Sequence, residues 1–236
     1  NNFSLSGGSG NDRIVFNLDA HISESEFSNN NVAMSCGAGN DYLAFNADVN
    51  IASAWFSSFS SNNFSMFGGA GNDLLYMNVS ADLRTTGNSC TFTGNTLSMQ
   101  GNGGIDLVAM RLNVDLAGNT WNGFYDNFMY LSGGTAADNL AMRLGVFMSV
   151  TGTTPSLGNY FASNTIMNSG GNGADVMLLD MNFSMLGAAH SVDQFGGNAT
   201  TTFGHQWNSI LMRGNEGNDT MRMSMDLLVS GGVGTG

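Results

Sequence analysis

Seven glycine-rich hexapeptides punctuate the chain: GGSGND, CGAGND, GGAGND, GNGGID, GGTAAD, GGNGAD and GNEGND, closing at Asp12, Asp41, Asp73, Asp106, Asp138, Asp175 and Asp219. Successive closing acids lie 29, 32, 33, 32, 37 and 44 residues apart. Self-similarity at this period marks a solenoid, propeller or array, because one such unit cannot bury its apolar face alone and must stack on its neighbours. Four residues before the acid stand five glycines, with Asn102 and Asn215 in the other two places. Asparagine is the next most tolerant residue of positive φ, so this column predicts a left-handed backbone. Two residues before the acid stand six glycines and Ala136, which is expected to make the least comfortable turn.

The flanks of each hexapeptide keep the same register. Leu5, Met34, Met66, Met99, Leu131, Asn168 and Met212 stand seven residues before the acid. After it, offsets of 2, 4, 6, 8 and 10 are apolar, as in Leu75, Met77, Val79, Ala81 and Leu83. Alternation of this kind is the period of a strand with one buried face. The odd offsets hold Asn17, Asn46, Asn78, Asp19 and Asp48, and point to solvent. A third column, fourteen residues before the acid, reads Phe27, Phe59, Phe92, Phe124 and Phe161, with His205 in the sixth place. These rings form a ladder if the coils stack.

Each repeat therefore reads as a short strand, a tight Gly-Asp turn, a long strand and a return loop. The expected fold is all-β, a single parallel β-solenoid domain over residues 1–236 with about seven coils and little or no helix. Its expected hand is right, as for parallel crossovers generally, and its rise is on the order of 34 Å at ~4.8 Å per strand. Most of the sixteen methionines fall in inward columns, Met167 being the exception. That placement marks them as flexible core fillers in preference to a soft-metal site.

Composition narrows the function. The net charge is −12, all six basic residues are arginine, and charged residues make up only 10% of the chain. Such a chain repels phosphate backbones, so neither nucleic-acid binding nor an anionic membrane surface is expected. No apolar run reaches the ~20 residues of a membrane span, so membrane insertion is not expected. Cys36 and Cys90 occupy different places in the repeat frame, leaving a disulfide and two buried thiols both open. Both ends fall inside the repeat pattern, from "NNFSLSGGSGND" to "GGVGTG" with Gly236 where an acid is due. This predicts part of a longer chain or a subunit that polymerises with copies of itself end to end.

The hexapeptides, each followed two places later by an apolar residue (Ile14, Leu43, Leu75, Val108, Leu140, Met177, Met221), resemble the GGxGxDxUx element of RTX-type calcium-binding repeat proteins. The resemblance covers about nine residues of each coil. It implies calcium clamped between successive turns, with Asp12, Asp41, Asp73, Asp106, Asp138, Asp175 and Asp219 as carboxylate ligands beside turn carbonyls. Those repeats recur every nine residues and place turns on both edges, whereas here each coil has one turn, implying one column of ions. Electrostatics independently favours a cation: carboxylates about 5 Å apart repel by about 1 kcal/mol per pair in water and several times that at lower dielectric, and calcium accepts six to eight oxygens in flexible geometry. The alternative is that each acid accepts backbone N–H groups within its own turn.

The expected role is an extracellular or cell-surface structural one: a calcium-stabilised filament, stalk or adhesin segment. A module binding surface glycans is the second reading. A β-helix polysaccharide lyase or hydrolase is the third, and the chain is not expected to be an enzyme. Outward acids such as Asp19, Asp48, Asp82 and Asp115, with Asn50 and Asn113, continue the alternation of every coil and mark no single cleft. Arg111 and Arg143 share one outward column and are expected to pair with neighbours such as Asp115. His21, His190 and His205 lie apart, with no nucleophile beside them. The long sixth interval, 186–207, with His190, His205 and Trp207, reads as an insertion at a binding face or a plain surface loop. Asn-x-Ser/Thr triplets such as those at Asn63 and Asn198 are weak marks of glycosylation.

Overall fold

A computed structural model describes residues 1–23, 25–152, 158–187, 194–195 and 208–230. Pro155, His190, Asn198, His205, Trp207 and the closing hexapeptide at 231–236 lie outside the described residues. The described chain is all-β, and its strands lie in three parallel sheets stacked as a β-solenoid. The first sheet holds Asn2–Ser9, Asn31–Ala38, Asn63–Ala70, Thr96–Gly103, Phe128–Thr135, Thr165–Asn172 and Ser209–Glu216. The second holds Arg13–Ile22, Tyr42–Ser53, Leu74–Thr85, Leu107–Gly118, Asn139–Val150, Val176–Leu186 and Thr220–Ser230. The third holds Ser25–Ser28, Phe56–Ser60, Ser89–Thr93, Trp121–Tyr125, Gly158–Ala162 and Gln194–Phe195. Five windings carry all three strands at four residues or more. In the sixth the third strand shrinks to two residues, and the seventh shows two strands. The solenoid thus makes about five full turns, slightly fewer than the seven coils expected.

The third sheet corrects the reading of two strands per repeat. What the sequence presents as a return loop contains a strand of four or five residues, because the phenylalanine column needs a regular backbone to stack. Phe27, Phe59, Phe92, Phe124 and Phe161 pair in register. Their ring centroids are 4.8–5.1 Å apart, and the last three are within 4° of parallel. The sixth place belongs to Phe195, whose backbone pairs with Phe161. The extra length of coil six follows its third strand, so counting back from Asp219 reaches His205 instead.

Register in the other two sheets follows the repeat frame without slippage, for example Leu75↔Val108, Met77↔Met110 and Leu83↔Leu116. The inward residues of the middle coils form one continuous buried core. Eleven of the sixteen methionines are in it, filling gaps between coils of slightly different width. Cys36 and Cys90 are both free and buried.

The Gly-Asp corner joins the first sheet to the second. Its backbone is left-handed four residues before each acid, with φ 80° at Asn102 and 70° at Asn215 among five glycines. It is left-handed again two residues before the acid, where Ala136 has φ 118°.

Candidate functional site

The seven acids named from the sequence stand in one file at this corner. The structure points their carboxylates into the solenoid, and Asp41, Asp73, Asp106, Asp138 and Asp175 are buried. Alternation cannot predict this, because a turn residue has no face assigned by a period of two. From Asp41 to Asp219, one oxygen of each carboxylate accepts a backbone N–H from the preceding coil. The backbone N–H of each acid donates to Oδ1 of the acid in the next coil: Asp12 to Asp41 at 2.6 Å, Asp41 to Asp73 at 2.9 Å, and Asp73 to Asp106 at 2.8 Å. The file continues from Asp106 to Asp138 at 2.7 Å, Asp138 to Asp175 at 2.8 Å, and Asp175 to Asp219 at 3.0 Å. The hydrogen bonds run between turns, unlike the Asx pattern within one turn.

The second oxygen has no protein partner. Oδ2 of Asp12, Asp41, Asp73, Asp106, Asp138 and Asp175 is buried without a hydrogen bond. In every coil but the second, where Cys36 takes that place, the second oxygen rests on the glycine five residues earlier, which accounts for the opening glycine of those hexapeptides. A Cβ on Gly101 would lie 2.2 Å from Oδ2 of Asp106. The same point is 2.7 Å from the carbonyl oxygen of Gly133 in the next coil, and the corners at Gly68 and Gly133 repeat the arrangement. Carboxylate and carbonyl oxygens therefore converge with no donor between them. Leaving such a group unsatisfied is costly, and a bound cation or an acid proton would supply what is missing.

The acidities follow this geometry. Burial pushes Asp106 up to about 7, against the backbone N–H of Asp73, which favours the ionised form; the charges of Asp138 and Asp73 raise it further. Burial likewise pushes Asp138 up to about 6, with Asp175 adding repulsion. Asp73 and Asp175 are raised for the same leading reason.

The donor set fits a hard cation in kind, being oxygen throughout. Among the described residues no three His, Cys, Asp or Glu side chains gather as a metal-ligating group. An ion at this corner would be held by one or two carboxylates and main-chain carbonyls. Coil two departs from the others, with Cys36 in the place of the first glycine. Burial first, then the charges of Asp41, Asp12 and Asp73, push its thiol up to about 12, so it stays protonated and inert.

A second polar file lies at the corner from the third sheet to the first. Asn1, Asn30, Asn62, Asn95, Asn127, Asn164 and Asn208 stand eleven residues before the seven acids. The Asn62 amide donates to Oδ1 of Asn95 at 3.1 Å and to the carbonyl of Phe27 at 3.1 Å; Asn95 donates in the same way to Asn127 and Phe59, both at 3.0 Å. Asn127 and Asn164 repeat the pattern toward Asn164 and Asn208. Asn62, Asn95, Asn127 and Asn164 thus each join three coils and tie the corner to the phenylalanine file. Sequence reasoning missed this column, although an invariant asparagine at a fixed offset was a sufficient signal.

The outward acids do not converge on a cleft. Asp19 lies 3.2 Å from His21, while Asp82 and Asp115 share Arg84, at 2.7 and 3.3 Å. Asp115 is therefore engaged by Arg84, correcting the expected pairing with Arg111 or Arg143. No protein family, curated protein or solved structure matches the chain.

Proposed function

We propose that the chain is an extracellular or cell-surface structural module, a calcium-stabilised β-solenoid that serves as a segment of a filament, stalk or adhesin. The observation that carries this reading is the file of buried carboxylates, each with one oxygen lacking a donor in a corner of converging oxygens. Asp12, Asp41, Asp73, Asp106, Asp138, Asp175 and Asp219 would hold calcium, with carbonyls such as those of Gly133 and Gly170 beside them. Bound calcium supplies positive charge that offsets repulsion between stacked acids. Extracellular calcium, at about millimolar concentration, suits sites built from few charged ligands. The resemblance of the hexapeptides to RTX-type repeats points the same way.

End-to-end assembly rests on the last described strand. Met221, Met223, Met225, Leu227 and Val229 continue the inward files of the preceding coils, yet they are 43–51% exposed. A further coil of the same pattern, from this polypeptide or from a second copy, would cover them.

Thermal unfolding with and without a chelator tests the calcium reading. The expected result is a melting temperature lower by several degrees in EGTA and restored by calcium but not by equal magnesium. Identical melting curves across millimolar calcium would end it. Electron microscopy tests assembly separately: filaments with a coil-like axial repeat are expected, and uniformly isolated particles at high concentration would exclude self-stacking.

A further inference from the structure

The outward face of the second sheet carries one patch that breaks the charge pattern of the chain. Only six of the charged side chains are basic against eighteen acidic ones. Two of the six, Arg111 and Arg143, stand directly opposite each other on neighbouring coils. Like charges one strand spacing apart, ~4.8 Å, disfavour the fold. The ion pairs among the described residues are His21–Asp19, Arg84–Asp82 and Arg84–Asp115, so neither guanidinium of this pair forms a salt bridge.

Neighbouring polar groups engage Arg111 in part and leave the pair without a salt bridge. With its oxygen turned toward Arg111, the Asn113 amide accepts from Nε at 3.1 Å and from Nη2 at 3.2 Å. Asp180 follows Arg143 in the same file, but accepts from the Ser224 hydroxyl at 2.7 Å. Asp115, in register with Phe147, is taken by Arg84.

Beside the pair is a notch. The outward residues of coil five run Arg143, Gly145, Phe147, and Phe147 is 46% exposed. Gly145 is in register with Asn113 on one side and Asn182 on the other. Its backbone is not left-handed, so what glycine provides here is space: a Cβ would lie 3.1 Å from Asn113 and 3.7 Å from the Phe147 ring. The resulting hollow, 480 Å³, is lined by Arg111, Arg143, Phe147, Asn113 and Asn182, and also by the carboxylate-bearing Asp180.

We propose that this notch binds an acidic saccharide unit, its carboxylate or sulfate seated across Arg111 and Arg143 and its ring laid against Phe147. Planar guanidiniums match an oxyanion with paired N–H donors. An exposed aromatic face offers an apolar surface to the C–H face of a sugar. Asn182 supplies a donor and an acceptor for hydroxyls, and Asn113, its oxygen taken by Arg111, supplies its NH2 as donor. The surrounding negative charge is screened beyond about 8 Å at physiological ionic strength. This site is independent of the calcium corner.

The test is titration of the whole chain, in calcium, with four probes: an oligogalacturonate, a heparin-derived sulfated oligosaccharide, a neutral cello-oligosaccharide and sodium sulfate. Binding of at least one acidic oligosaccharide below about 1 mM is expected, with no binding of the neutral one. Preference between the two acidic probes identifies carboxylate or sulfate as the anchor. The Arg111→Gln/Arg143→Gln double variant should weaken binding at least about tenfold, and Gly145→Asn, which extends the asparagine row into the hollow, should abolish it. Phe147→Ala should weaken the oligosaccharide but not free sulfate. Unchanged melting curves would show that these surface variants remain folded. Binding insensitive to the arginine pair, equal affinity for free sulfate and the saccharides, or no binding at about 10 mM would each overturn the proposal.

Discussion

Replacing Ala136 by glycine should stabilise the protein, the reverse of the usual effect of adding glycine. Ala136 holds φ 118°, a region that costs an L-residue roughly 1–3 kcal/mol. Its methyl also meets a neighbour. In the equivalent places of other coils, a Cβ on Gly39 or Gly71 would come within 1.9 Å of the carbonyl oxygen one coil earlier. The solenoid yields at this point. The turn hydrogen bond from Gly104 to Thr135 is 3.2 Å, whereas the bonds made by Gly10, Gly39, Gly71, Ala136 and Gly173 are 2.7–2.8 Å. Glycine returns roughly 0.5–1 kcal/mol of the gain to the unfolded chain through its extra freedom. The net expectation is about 1 kcal/mol, or about 2–4 °C in melting temperature for a chain of this length. The measurement is a thermal melt at fixed calcium, together with hydrogen exchange at the Gly104 amide, which should become better protected. Gly71→Ala serves as the opposite control and should destabilise. If Ala136→Gly left the melting temperature unchanged or lowered it, the argument from backbone strain and coil separation would fail.

Asn95→Ala should cost about 3 kcal/mol or more, because it takes the acceptor from the Asn62 backbone N–H and one Asn62 side-chain N–H and the side-chain donor from the Phe59 carbonyl, all in the interior; Asn63→Ala on the surface should cost under about 0.5 kcal/mol by urea unfolding. In metal-free buffer, stability should fall as pH rises from the ordinary carboxylate range through 6 and 7. Asp138 and Asp106 are raised to about 6 and about 7, so the folded state holds their protons longer than the unfolded state and loses that advantage once both have ionised. Millimolar calcium should flatten this decline near pH 7, and a melting temperature that climbs with pH without metal would contradict the assignment. Cys36 and Cys90, both buried with thiols raised to about 12, should resist a thiol reagent at pH 8 until the protein unfolds; both should then react together.

Much of this architecture was legible because register is a one-dimensional property. Leu75, Met77, Val79, Ala81 and Leu83 declare an inward face by alternation, and constant spacing from each acid stacks that face on its copies. The left-handed corner was legible from Asn102 and Asn215, since asparagine replaces glycine where φ must be positive. The third sheet was not, because Phe56–Ser60 and its equivalents are short and their residues face a corner, leaving no alternation to count. The inward turn of the acids was hidden for a similar reason, and its one sign was the opening glycine. The Asn30–Asn208 file was visible as a column, but asparagine near a bend reads first as a turn residue. The partner of Arg84 depends on side-chain reach across coils, which spacing alone does not rank.

The asparagine file has an arrow. In every step from Asn1 to Asn208 the amide of one coil donates to the oxygen of the next, so within the file one amide proton faces the later coil and each oxygen the earlier one. The file of acids, donating from backbone N–H to Oδ1, runs in the same direction. A coil arriving upside down would set donor against donor at one corner and again at the other. Growth of such a rod is therefore vectorial, and any assembly built from it carries a plus end and a minus end written in the orientation of its amides.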